Sequence, residues 1–330
     1  MPCFSPLNAW RTQGGEIVFW RRQDVVQEFQ LPCGGCEGCL LERSRQWAVR
    51  CMHEASQWER NCFITLTYEE TPPWNSLRHG DFQKFMKRLR KKFYGHKEYI
   101  DVRTGKSSHP IRFYMAGEYG TQRGRPHYHA CIFNFSFEDL KFLRRTNSGS
   151  NLYRSTQLEG LWPHGFSSVG DVTFESAAYV ARYVMKKQYQ EADHLLVVDP
   201  YTGECVERHP EYNRMSLKPG IGAGFLDKYK SDVFPNDFVV VNGHKAKPPR
   251  YYYKRLEQQD PDLYEQVEYS RAMKGLDQCE ENTVERLGAR QKVLQSEIEK
   301  IRKEIMMEKP VVVLFDNVAN IYKDPFYPPN

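Results

Sequence analysis

Hydrophobic residues change their spacing several times along this chain, and each change marks an element. Between Leu40 and Trp58 the positions Leu41, Ala48, Cys51, Met52 and Ala55 recur at near-helical intervals and predict a helix. From Asn61 to Tyr68 the pattern becomes β-branched and alternating, NCFITLTY, which predicts a central strand. After the Pro72-Pro73 turn, Phe82, Phe85, Met86, Leu89 and Phe93 form one helical stripe, with Asp81 placed to cap its N-terminus. The other face of that helix carries Lys84, Lys87, Arg88, Lys91 and Lys92. Two strands follow, Ile111 to Glu118 and His127 to Phe135, joined by a glycine-containing connection that permits antiparallel pairing. Ser167 to Val172 reads as a weaker strand, and Glu175 to Gln188 as a helix with Ala, Val and Met on one side. This order predicts an α+β fold with a mostly antiparallel central sheet flanked by helices.

Beyond Gln190 the pattern loosens into Pro-, Gly- and Tyr-rich segments, although Phe238 to Val241 followed by Asn242-Gly243 reads as the first arm of a hairpin. From Val284 to Ile305, positions 284, 287, 291, 294, 298, 301 and 305 keep heptad spacing, with only Gln291 polar. Such a helix either pairs with a second copy or docks on its own domain. The expected organisation is a Cys-rich segment and helix (1–60), a core (61–190), an accessory segment packed on or near it (191–275), and a C-terminal helical extension with a tail (276–330).

Composition narrows this picture. With 40% apolar and 14% aromatic residues in 330, the chain has ample material for a core. The net charge of +5 is modest but uneven: Arg78 to Arg112 holds eleven Lys or Arg against three Asp or Glu. A local positive surface suits nucleic-acid phosphate, and equally suits solubility. No apolar run approaches the roughly 20 residues that span a bilayer, and MPCFSPLNAW lacks the basic and apolar regions of a signal peptide. The expectation is a cytoplasmic protein with no membrane partner, whose nine cysteines are thiols or metal ligands.

Three clusters carry candidate chemistry. His127 and His129 sit two apart on a strand, so both imidazoles face one way, and Glu118 would lie beside them if the two strands form a hairpin. One carboxylate and two imidazoles suit Mg²⁺, Mn²⁺ or a similar ion with positions left for water and substrate oxygen. On the later helix, Tyr179, Tyr183 and Lys186 are spaced i, i+4 and i+7 and share a face. A phenol is a weak nucleophile at neutral pH and needs charge stabilisation from a metal ion or a lysine. Lastly, CGGCEGC places Cys33, Cys36 and Cys39 where glycines let the backbone curl around an ion, and three thiolates want a fourth ligand, for which Cys51 and His53 are available. Structural Zn²⁺ is expected there, and an iron–sulfur cluster accepts the same spacing.

FITLTY (Phe63 to Tyr68), GRPHYHACIF (Gly124 to Phe133) and YVARYVMKK (Tyr179 to Lys187) together resemble, in order and separation, the three motifs of HUH endonucleases that start rolling-circle replication. The likeness is strongest to replication initiators of gokushovirus-type microviruses. It extends over CGGCEGCLLERSRQWAVRCMHEA, DFQKFMKRLRKKF, LWPHGFSSVGDVTFESAAYVARYVMKK and MSLKPGIG, about two-thirds of the chain.

The resemblance implies an HUH-type, ferredoxin-like core at 61–190 in which His127, His129 and Glu118 hold the divalent ion. Tyr179 and Tyr183 would be the paired nucleophiles that cut single-stranded DNA through a 5′-phosphotyrosine, leave a 3′-OH, and later rejoin ends to release a circle. Lys186 would stabilise the charge, with Lys187 as an acceptable substitute. Cys3 is implied as the fourth cysteine ligand, because the resembling proteins also begin with a cysteine near position three. Implied partners are single-stranded DNA at the viral origin and, since no P-loop is visible, a host helicase together with a DNA polymerase. The implied setting is the cytoplasm of a bacterial host. Two other readings remain: a non-catalytic single-stranded nucleic-acid binder with a ferredoxin-like sheet, and an HUH transposase or relaxase.

Overall fold

The computed structural model describes residues 3–93, 111–120, 124–146, 149–186, 196–198, 203–241, 243–277 and 283–307, with the side chains of 182–186, 276–277, 297–298 and 300–307 outside that description. Its centre is a seven-stranded antiparallel sheet. The strands, in chain order, are β4 (Asn61–Thr67), β5 (Arg112–Tyr119), β6 (Pro126–Phe133), β7 (Lys141–Arg145), β8 (Asn151–Arg154), β9 (Ser167–Gly170) and β12 (Tyr212–Met215), and they lie in the spatial order β12-β5-β6-β4-β9-β8-β7. Three strands before β4 form a small separate sheet, β1 (Leu7–Thr12), β2 (Ile17–Val18) and β3 (Val25–Leu31). Two short hairpins complete the described strands: β10 (Leu196–Val198) with β11 (Cys205–Glu207), and β13 (Val239–Val241) with β14 (His244–Ala246).

Alternation in β4 sorts the molecule into two cores. Cys62, Ile64 and Leu66 are buried on one face, whereas Asn61, Phe63, Thr65 and Thr67 are only half-buried on the other. The first face is covered by α2 (His79–Phe93), whose stripe Phe82, Phe85, Met86 and Leu89 is almost fully buried against Tyr128, Trp162 and Ile132. The second face is covered over β12, β5 and β6 by α1 (Glu37–Ala55) and α4 (Phe174–Lys186). Ala177, Ala178, Val180 and Ala181 of α4 are small enough to pack closely on Ala48 and Val49 of α1, and Ser44 there donates to the Ala178 carbonyl at 3.3 Å. A buried ion pair ties α1 to β5: Arg112 Nε lies 2.6 Å from Glu54 Oε1, and Glu54 Oε2 accepts from Gly222 N–H at 2.7 Å.

The expected strands and helices are present with ends moved by one to three residues, and the predicted α+β architecture is the observed one. Asp81 does not cap α2. The helix begins two residues earlier, and the Asp81 carboxylate instead accepts from the buried Tyr68 hydroxyl at 2.9 Å. Arg88 is drawn out of the solvated basic face, donating from Nε to the Leu161 carbonyl at 2.9 Å. The stretch after Gln190 is more regular than its composition suggests. It contributes β12 to the main sheet and then α5 (Ala223–Val233), α6 (Arg250–Gln259) and α7 (Pro261–Asp277), while a further helix, α3 (Thr156–Leu161), precedes β9. The heptad segment is helical as α8 (Val284–Met307), with Val284 87% exposed and Leu287 buried. Among the described residues no helix is long and apolar enough to cross a membrane.

Candidate metal and nucleophile site

The β5–β6 register brings the first cluster together. Glu118 pairs directly with His127, and His129, two residues on, takes the same face between Ala116 of β5 and Thr65 of β4. Both imidazoles aim at one atom: Glu118 Oε1 lies 2.7 Å from His127 Nε2 and 2.6 Å from His129 Nε2. The carboxylate is 1% exposed. Burial alone would raise its pKa, but the neighbouring His129 and the hydrogen bonds from both imidazoles hold it down at about 2.

The far side of each ring fixes its orientation. His127 Nδ1 sits 3.0 Å from the Arg125 carbonyl, which can only accept, so Nδ1 carries a proton and Nε2 is the ring atom turned to Glu118. His129 Nδ1 is 3.0 Å from Thr65 Oγ1, and its ring stacks on Phe63. An imidazole nitrogen set this close to a carboxylate oxygen requires a proton or a cation between them. The three ligand atoms lie within 4.8 Å of one another. A six-coordinate ion of the Mg²⁺ type has ligand–ligand edges of roughly 3 Å, so an opening of a few tenths of an ångström admits it. The donor set therefore fits a divalent cation, with the Arg125 carbonyl and the Thr65 hydroxyl already in place to orient the two histidine rings.

Tyr179 completes the constellation. Its hydroxyl donates to the same Glu118 Oε1 at 3.2 Å, and its ring meets the His129 ring edge-to-face at 4.9 Å between centroids. Tyr183 and Lys186 belong to α4 one and two turns further on, and their side chains lie outside the described residues.

The cysteines gather at the other end of α1. The Sγ atoms of Cys3, Cys33, Cys36 and Cys39 lie within 4.8 Å of one another, with 3.8 Å between Cys36 and Cys3 and 4.0 Å between Cys33 and Cys39. A tetrahedral ion with sulfur ligands at about 2.3 Å has S–S edges of roughly 3.8 Å, so these thiols fit one with little movement. Backbone N–H groups point at the sulfurs, from Phe4 to Cys36 at 3.4 Å, Cys33 to Cys3 at 3.3 Å and Cys36 to Cys33 at 3.3 Å. Against the opposing effect of burial, such amides help bring the Cys33 thiol down to about 7, while burial raises Cys3. Cys51 and His53 stand elsewhere: Cys51 is fully buried in the α1–α4 core, and His53 Nδ1 is 2.8 Å from the Tyr252 hydroxyl.

Thr65, Phe63 and the Arg125 carbonyl escaped notice in the sequence. Thr65 and Phe63 lie within the FITLTY motif, but only the pairing of β4 with β6 sets them against His129.

Residues 61–188, a stretch that includes β4 through α4, match the family model of the replication-associated protein ORF2/G2P. Replication-associated protein VP4 of Bdellovibrio phage phiMH2K is 34% identical over 281 residues, covering 83% of this chain and 82% of the relative. Replication-associated protein ORF2 of Spiroplasma virus 4 is 32% identical over 80% of this chain and 83% of the relative. Replication-associated protein ORF4 of Chlamydia phage 1 is 31% identical over 68% of this chain and 53% of the relative. No solved structure matches. The site thus sits in the part of the chain that defines a replication-associated protein. The chain belongs to the microvirus members of that class, the replication initiators of small phages.

Proposed function

We propose that this protein nicks single-stranded phage DNA at the replication origin through a tyrosine–DNA intermediate and later rejoins the ends. One observation carries the reading: the Tyr179 hydroxyl and two imidazoles converge on a single buried carboxylate oxygen. A bound Mg²⁺ or Mn²⁺ would polarise the scissile phosphate and offset the charge that develops on it. The protein's own part is to hold a nucleophile and a phosphate in one place. The Tyr179 oxygen forms a P–O bond as the bond to the 3′-oxygen breaks, leaving a 5′-phosphotyrosine. The phenolic proton is lost to solvent as the bond forms, and the departing 3′-oxygen takes up a proton from solvent, so the protons balance. The free 3′-OH then serves a polymerase. Because the linkage retains the phosphodiester energy, a 3′-OH can attack it to close a circle without ATP.

The i, i+4 spacing supports Tyr183 as the second nucleophile and Lys186 as the cation that steadies the phosphate. Zn²⁺ on Cys3, Cys33, Cys36 and Cys39 would serve structure, pinning the N-terminal arm to the start of α1. Single-stranded viral DNA, a host helicase and a host DNA polymerase are the partners this reading requires, in the cytoplasm of a bacterial host.

The test is a covalent adduct. Incubation with single-stranded viral DNA and Mg²⁺ or Mn²⁺ yields a protein–DNA species that chelation prevents and Tyr179→Phe with Tyr183→Phe removes. An adduct that survives the double substitution, or none with any viral-strand segment, overturns the reading. Zinc is checked by elemental analysis of the purified chain, with one ion per chain lost in Cys36→Ser.

A further inference from the structure

The register that builds the site also arranges what lies beyond it. In the row of Glu118 and His127, the next residue across the sheet is Thr67, which pairs with His127 and donates its N–H to the Phe166 carbonyl at 2.8 Å. In the adjacent row Ala116, His129, Thr65 and Ser168 stand side by side. The β8–β9 register set by Tyr153 and Val169 carries that row on to Arg154, and Lys141 of the edge strand pairs with Arg154. Arg144, paired with Leu152, ends the row of Phe63 and Gly170. At about 4.8 Å per strand, Phe166 stands roughly 10 Å from His127, and Lys141 roughly 19 Å from His129.

Among the described residues this half of the face is open. The helices α1 and α4 cover β12, β5 and β6, whereas Phe166 is 64% exposed and Lys141, Arg144 and Arg154 are exposed. The placement of Phe166 is enforced by its neighbour. Gly165 has φ +146°, and a Cβ there would lie 2.2 Å from the Glu69 nitrogen, so only glycine lets the chain turn this close to β4. Arg154 holds Glu159 at 2.8 Å, an exposed pair of the weak kind that a phosphate can replace. The lysines Lys84, Lys87 and Lys91 sit on α2, behind the opposite face, and cannot serve a strand lying over the histidines.

We infer that the open half-face is the track on which one arm of the single-stranded DNA leaves the site, with a base stacked on Phe166 and phosphates on Arg154, Lys141 and Arg144. An exposed ring stacks on any base, and cations set beyond it follow the backbone without reading sequence. The inference rests on the reading that single-stranded DNA is the substrate of the histidine–tyrosine site. Its test needs no cleavage.

Binding of a fluorescein-labelled oligothymidylate of about 20 nucleotides is followed by anisotropy, with full-length chain, in EDTA and across a series of salt concentrations. Phe166→Ala weakens binding roughly 5- to 100-fold, whereas Phe166→Trp keeps the parent affinity. Lys141→Gln with Arg154→Gln lowers the slope of log affinity against log salt by about 1.4, at roughly 0.7 per phosphate contact. All three side chains are exposed, so melting temperatures stay at the parent value and the loss reports contact. Parent-like affinity and slope in all these variants overturn the track. If adduct formation still depends on Tyr179, the track alone has failed. If no adduct forms yet the affinity losses stand, the nicking reading has failed and the track remains.

Discussion

The two faces of the central sheet are made from alternate residues of the same strands and do opposite work. On the α2 face, Tyr68, Tyr128, Trp162, Phe82 and Phe85 pack edge-to-face or tilted, and the Tyr68 and Tyr128 hydroxyls are tied to each other, to Asp81 and to the backbone of Arg78. On that face these hydroxyls find their partners within the protein. On the α4 face, single polar groups of Thr65, His127, His129 and Glu118 stand beside the rings of Phe63 and Tyr179, and among the described residues the half of the face beyond β4 is exposed. Both faces carry a buried apolar cluster, and the front holds in addition a buried carboxylate that burial would penalise without its imidazole partners.

This division can be broken from either side. The largest effect is expected on the front, where His129→Ala or Tyr179→Phe should lower nicking by at least about 10²- to 10³-fold while urea unfolding changes little. A comparable loss of stability would show that these site side chains also hold the fold. Next comes Trp162→Ala on the back, which should lower the unfolding free energy by about 3–5 kcal/mol. Divalent-ion binding by the molecules that remain folded should be unchanged, as titration calorimetry would show. Thr65→Val is smaller: it removes the group that holds His129 Nδ1 and should reduce ion affinity or nicking about 10- to 100-fold without unfolding the strand. The smallest effect belongs to Lys84→Gln with Lys87→Gln on α2, expected within about 0.5 kcal/mol of the parent in stability and without effect on oligothymidylate binding. A large loss of DNA affinity there would move the DNA to the back of the sheet.

What could be read from the sequence followed from local period. The NCFITLTY alternation, the α2 stripe and the HYH pair all announce themselves within a few residues, and β4, β6 and α2 form close to where those patterns lie. Glu118 was legible because hairpin pairing is nearly local. Among the elements that escaped, β1 to β3, β7 and β8 bury at most two residues each, too few to leave a periodic mark. Asp81 was misassigned as a cap because its partner, Tyr68, lies across a turn and competes for the carboxylate. Thr65 was invisible as a positioning group, since its pairing with His129 spans 64 residues. For Cys3, distance along the chain hid the contact, and family likeness supplied what spacing could not.

That contact has a topological consequence. Cys3 and the Cys33–Cys39 cluster meet at one point, so the small sheet between them is a loop with both ends pinned beside the N-terminus of α1. With an ion in the clasp, a single cut in the exposed turn at Gly14-Gly15 would leave two polypeptides travelling as one particle. The break would become visible only when the ion was withdrawn. With that ion bound the N-terminal strands would be closed onto the core by coordination, as a ring is closed, and could accept an inserted segment at that turn without passing strain to the central sheet.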